Sequence, residues 1–292
     1  MPEPCIKRRM LSACRQTYAA QAPAAGTPVG WQQAPESISG GEGEIDHALV
    51  GRIAEGIVLA FRGTLAQFGG GDAAFERSAR DWINNADFLS RDNPLYPGRV
   101  HAGFAGSVNR LWPRIEAAIR RQVKPGAKNT LFVTGHSKGG ALANLAAWRA
   151  LGIAGLDPPI RVFTIAAARA GNEDFRTAYQ AHGGIRCLRY ENLVDVVPLI
   201  PVGSDTPRWA RTLIDKAWPG HHENNYFGVG TRMPGEPGWT AFLEVWRYYF
   251  GGFAWRALKG DYGQLLVAAH SINPGSHYDK LVCTGEAGCT HT

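Results

Sequence analysis

Three observations predict a single α/β domain whose mostly parallel sheet is flanked by helices. The first is the stretch over residues 130–147, TLFVTGHSKGGALANLAA. Leu131, Phe132 and Val133 form an apolar run of the kind that fills a strand buried on both faces. The chain then turns through Gly135-His136-Ser137-Lys138-Gly139, and Ala141, Leu142, Leu145, Ala146 and Ala147 follow at helical spacing. The second is the recurrence of short, strand-like apolar runs at residues 57–61, 160–165 and 185–190. The third is size: 292 residues, 45% hydrophobic and 19% charged, suffice for one large core without internal repeats or charge blocks to divide it.

Residues 5–21 can form an amphipathic helix with Ile6, Met10, Ala13 and Tyr18 on one side. Residues 22–43 are rich in Pro, Gly and Ser and read as irregular. Runs at 48–53 and 57–61, separated by Ala54-Glu55-Gly56, predict a hairpin that gives the N-terminal part an antiparallel character. Three glycines, Gly69 to Gly71, precede a short polar-apolar piece over 72–80. A mobile cover over a site and an ordinary surface loop both fit residues 65–80. Val108, Leu111, Ile115, Ile119 and Val123 mark an amphipathic helix with Pro113 expected in its first turn. Aromatic residues concentrate over 206–262, which reads as a lateral cap packed on the core or, alternatively, as an acyl-binding wall.

The G-x-S-x-G turn of Gly135 to Gly139 lies between a strand and a helix, the context in which a serine becomes an exposed nucleophile. Its glycines have a steric purpose: side chains two before and two after Ser137 would strike neighbouring backbone. Phe61-Arg62-Gly63-Thr64 ends the second hairpin strand. Val100-His101-Ala102-Gly103-Phe104, Ala166 to Asn172 and Asn192-Leu193-Val194-Asp195-Val196-Val197-Pro198 follow in order. These segments resemble the F-R-G-T/S, V-H-x-G-F, A-x-P-R-x-G-N and N-x-x-D-x-V-P signatures of the class 3, fungal-type lipase family. The resemblance covers roughly residues 45–200 and the neighbourhood of His270. It implies an α/β-hydrolase fold over the whole chain, 1–292.

The resemblance also implies roles. Thr64 and Lys138 would offer backbone N–H groups to an oxyanion, and Asp195 would orient a histidine. That histidine must follow Asp195 in this fold's chain order. His270, in His270-Ser271-Ile272, fits the family's position, although the expected nearby tyrosine is delayed to Tyr278. His277, directly before that tyrosine, remains the alternative base. His101 precedes the serine and reads as structural. The family usually has an apolar Leu where Lys138 stands, and Lys138 is expected to turn its ammonium away from the imidazole, whose cationic form it would disfavour.

The implied activity is hydrolysis of carboxylic esters of lipids through an acyl-enzyme, with acylglycerols as first choice. A phospholipase A1-type activity, a lipid-attacking exported effector and a non-catalytic hydrolase-fold binding protein are the alternatives. No cofactor or metal is implied: His221, His222 and Glu223, or Cys283, Cys289 and His291, supply too few convergent ligands. The net charge of +6 is scattered rather than gathered into a stripe, which argues against nucleic acid and leaves transient contact with a lipid interface as the partner expectation. Residues 1–10 lack the apolar core of a signal peptide and no run of about 18 apolar residues exists. The default is a cytoplasmic protein with reduced thiols, with signal-less export left open. The oligomeric state is not legible.

Overall fold

The computed structural model describes residues 5–19, 21, 23–26, 28–64, 90–208, 210–211, 225–233 and 269–282. Among these, seven strands form one sheet in the order β1-β2-β3-β6-β7-β9-β11. They are β1 (Glu36–Gly40), β2 (Asp46–Ile53), β3 (Gly56–Phe61), β6 (Thr130–His136), β7 (Asp157–Ile165), β9 (Ile185–Tyr190) and β11 (Thr231–Met233). β1, β2 and β3 are antiparallel neighbours, and β3, β6, β7, β9 and β11 run parallel.

Side-chain alternation along the central strands divides the interior into two layers. Val50, Ile57, Leu59, Phe61, Leu131 and Val133 point to one face, where they meet Val108, Leu111, Leu142 and Leu145. Those four come from α2 (Ala102–Gln122) and α3 (Lys138–Ala150). Leu49, Ile53, Val58, Ala60 and Phe132 point to the other face, against Met10 and Leu11 of α1 (Ile6–Gln16) and against Ile272 and Tyr278. A sheet apolar on both faces needs cover on both, which is why its strands read as continuous apolar runs. α4 (Glu173–Ala181) adds Phe175 and Tyr179 to the first layer, and α5 (His277–Leu281) follows the His270 segment.

Several elements differ from expectation. β1 lies within the stretch read as irregular; its residues ESISG bury Ile38 while pairing with β2. α2 begins at Ala102, capped by His101, whose Nδ1 accepts from the Phe104 N–H at 3.3 Å. Pro113 therefore stands inside the helix rather than in its first turn. A second, four-stranded antiparallel sheet was not expected. It orders β10 (Tyr226–Phe227), β8 (Gly171–Asn172), β5 (Arg99–His101) and β4 (Ser90–Asp92). Its strands are two or three residues long, too short to show a period in the sequence. Cys5 is disulfide-bonded, so the reduced-thiol expectation does not hold for it, whereas Cys14 and Cys187 are free and buried.

The cover reading of 65–80, His221 to Glu223, most of the aromatic 206–262 stretch, and Cys283, Cys289 and His291 fall outside the described residues. Among those described, Tyr226 and Phe227 are buried. No described helix is long and apolar enough to cross a membrane, and no described cluster of three His, Cys, Asp or Glu could hold a metal.

Candidate active site

Ser137 stands where β6 ends and α3 begins, at φ 58° and ψ −129°. A non-glycine residue held there costs about 1–3 kcal/mol and persists only when its surroundings enforce it. The enforcement is visible. The Ser137 N–H donates to Ile165 O at 3.1 Å, and Ser137 O accepts from the Gly140 and Ala168 N–H groups at 3.0 and 3.3 Å. A Cβ on Gly135 would lie 2.1 Å from Gly139 O, and one on Gly139 would lie 2.5 Å from Phe61 O. Ser137 itself is only half-buried. A tight, glycine-flanked turn thus raises one hydroxyl-bearing residue at the C-terminal edge of the sheet.

The end of β3 closes against this turn. A Cβ on Gly63 would come 3.1 Å from Ser137 Cβ, so the loop carrying Thr64 lies beside Ser137. Lys138 is the first residue of α3, and the N–H groups of a helix's first turn lack intrahelical partners. Its ammonium is 2.7 Å from Asp46 Oδ1 at the start of β2. The Asp46 side chain is fully buried, and its other oxygen accepts from Arg110 of α2 at 2.6 Å. Burial alone would raise this carboxyl. The Lys138 charge and hydrogen bonds from Lys138, Arg110 and Ser107 outweigh it and hold the group below its ordinary value.

β9 delivers Asn192 and Asp195 at the same edge. Asp195 Oδ2 accepts from His270 Nδ1 at 2.7 Å and from the Tyr278 hydroxyl at 2.8 Å, while Oδ1 accepts from the Val197 N–H at 2.9 Å. The side chains of His270 and Asp195 are 2% and 1% exposed. A carboxylate only accepts, so Nδ1 carries the hydrogen, and Nε2 is the proton-accepting nitrogen of the neutral ring. Burial and the nearby Asp195 charge push the Tyr278 phenol well above its ordinary range, which keeps it a donor. Its oxygen accepts from the Asn192 N–H at 2.9 Å, and Asn192 Nδ2 donates to Ala269 O at 3.0 Å. Asn192 and Tyr278 therefore fasten the Asp195 segment to the histidine segment.

His277 is exposed at the start of α5. The geometry brings His270, not His277, to Asp195. His101, as expected, serves its helix end. Sequence reasoning missed the parts played by Tyr278 and Asp46. Only Tyr278 carried a signal, as the displaced tyrosine of the histidine segment.

The model of the family described as "Lipase (class 3)" matches residues 58–204, from β3 through the Ser137 turn to just beyond Asp195. The chain belongs to the class 3 lipase family. Among curated relatives, it is 28% identical over 173 residues to phospholipase A1-II 3 of Oryza sativa subsp. japonica, covering 49% of this chain and 38% of that protein. It is 32% identical over 129 residues to a lipase of Rhizomucor miehei, covering 42% and 35%. With secreted mono- and diacylglycerol lipase 1 of Fusarium solani it shares 31% over 127 residues, covering 42% and 36%. The chain thus spans well under half the length of these relatives. Among solved structures, the Rhizomucor miehei triacylglyceride lipase superposes with a TM-score of 0.54 at 22% identity, over 69% of this chain and 75% of that one. A lipase from Rhizopus microsporus var. chinensis gives 0.52 at 20% identity, over 80% and 75%. At such identities the likeness speaks for the fold, an α/β-hydrolase.

Proposed function

We propose that this class 3 lipase-family chain hydrolyses carboxylic esters of lipids through a Ser137–His270–Asp195 triad. The observation that carries the reading is the buried 2.7 Å contact of His270 Nδ1 with Asp195, at the sheet edge where the strained Ser137 turn stands. His270 Nε2 takes the Ser137 proton as the oxygen attacks the ester carbonyl. The backbone N–H groups of Thr64 and Lys138 receive the developing oxyanion; fixed donors of this kind are worth about 3–4 kcal/mol each in related chemistry. The imidazolium, steadied by Asp195, then protonates the leaving alcohol. Water repeats the sequence on the acyl-enzyme and releases the acid.

Acylglycerols are the first substrate class, supported by the kinship to the Fusarium mono- and diacylglycerol lipase. Phospholipid ester hydrolysis is the second reading, supported by the rice phospholipase A1 relative. Contact with a lipid interface goes with either substrate. A fluorophosphonate probe tests the chemistry. It should label the wild type and not Ser137→Ala, and the wild type should release fatty acid from dispersed acylglycerol or phospholipid. Failure of native, folded protein to label at Ser137 sinks the reading.

A further inference from the structure

One phenol and one imidazole outside the proposed triad join its separate segments. Tyr18 follows the end of α1, and its oxygen accepts the Gly63 N–H at 3.0 Å. Gly63 directly precedes Thr64. The same hydroxyl lies 2.8 Å from His136 Nδ1, and His136 directly precedes Ser137. His136 Nε2 lies 3.0 Å from the backbone oxygen of His270, with the two rings 4.5 Å apart.

The protons in this chain can be placed by elimination. A carbonyl oxygen only accepts, so His136 Nε2 carries a hydrogen and donates to His270 O. Burial, and next the neighbouring His270, depress the basicity of His136 well below the ordinary histidine value, so the ring is neutral and Nδ1 is bare. Nδ1 then accepts from the Tyr18 O–H. Burial pushes the Tyr18 phenol up, so that hydrogen stays in place. The order is Gly63 N–H to Tyr18 Oη, Tyr18 O–H to His136 Nδ1, and His136 Nε2–H to His270 O. Every donor points the same way, a run in which neighbouring bonds polarise one another.

We infer that Tyr18 is a positioning residue of the active site, holding the oxyanion loop at Gly63 and, through His136, the backbone of the base at His270. The inference rests on the triad reading above. It adds that α1, which contributes no group to the chemistry, sets the mutual placement of the donor loop, the nucleophile turn and the base. Misplacement of reacting groups by an ångström costs on the order of 100-fold in rate, so the link matters more to turnover than to substrate affinity.

Tyr18→Phe removes one oxygen and keeps the ring. We expect kcat on a short-chain nitrophenyl ester to fall about 10- to 100-fold while KM stays within about twofold, and the rate of fluorophosphonate capture at Ser137 to fall in parallel. Assays run well below the melting temperature of each protein separate this from lost stability. A folded variant with wild-type kcat and capture rate overturns the inference even if it melts earlier. A second measurement needs no variant: nitrogen-15 spectra of histidine-labelled wild type should show His136 as the neutral Nε2–H tautomer from about pH 6 to about pH 9. A proton on Nδ1 breaks the chain of donors and overturns the inference. A wild type that neither labels nor turns over any ester overturns the triad reading and this inference with it. An active wild type matched by an equally active Tyr18→Phe overturns this inference alone.

Discussion

Replacing Lys138 by Leu, the residue usual at this place in class 3 lipases, should destabilise this protein. Asp46 is a fully buried carboxylate held by two cations: Lys138, 13% exposed at 2.7 Å, and Arg110, 48% exposed at 2.6 Å. Leaving a buried charge without any partner costs about 3–5 kcal/mol. Lys138→Leu removes the better-buried cation but leaves Arg110 and the Ser107 hydroxyl, so roughly half of that, about 2 kcal/mol, is expected. In a chain of this size that lowers the melting temperature by roughly 3 °C. Asp46→Asn in the Lys138→Leu background should recover at least about 1 kcal/mol, because the stranded charge is gone.

The pH dependence has a definite sign. The folded-state value of Asp46 lies below its ordinary one, so its contribution to stability is fully present above the ordinary carboxyl value and is lost as pH falls through the folded value. The gap between wild type and Lys138→Leu should be widest near neutrality and narrow below about pH 4. Urea unfolding followed by tryptophan fluorescence, repeated from about pH 3 to about pH 7, measures it. A gap under about 0.5 kcal/mol at neutrality, or one that stays constant into acid, refutes the reasoning.

Two further outcomes follow from the site. Tyr278→Phe deletes the second donor to Asp195 Oδ2, a hydrogen bond to a charged group worth about 1.5–3 kcal/mol; kcat for ester hydrolysis should drop about 10- to 100-fold, and an unchanged kcat would show that the phenol does not steady the acid. Gly135→Ala places a methyl 2.1 Å from Gly139 O in the Ser137 turn; probe labelling should be lost, and a labelled, fully active variant would mean that the turn relaxes freely.

How much of this was legible in the sequence depended on the range of the interactions. The central strands and the Ser137 turn are written locally, as apolar runs and as glycines at fixed offsets, and the structure has them at the expected residues. The family resemblance together with chain order pointed to Asp195 and His270, which the structure brings together. β1 was not legible because ESISG has a single large apolar residue and takes its strand form from pairing with β2. The start of α2 was missed because its apolar period sets in later than His101, whose capping ring terminates one element and opens the next. Asp46 and Tyr18 were missed for a common reason. Each acts on a partner 45 or more residues away, and neither period nor spacing encodes such a meeting.

The packing of α1 near Ile272 and Tyr278 is reinforced by ion pairs and hydrogen bonds that bear on the order of assembly. Arg15 Nε donates to Ile272 O at 2.6 Å, its guanidinium also reaches Asp279, and Arg8 pairs with Asp279 as well. These contacts join residues 257 to 271 positions apart. The strand and helix that flank Ser137, by contrast, are adjacent in the sequence and pair with β3. On a ribosome the Ser137 turn is synthesised before His270, and the His270 segment finds its seat only when the chain folds back onto a helix synthesised long before. Ser137 and the Asp195–His270 pair share one sheet edge only once that long-range contact has closed.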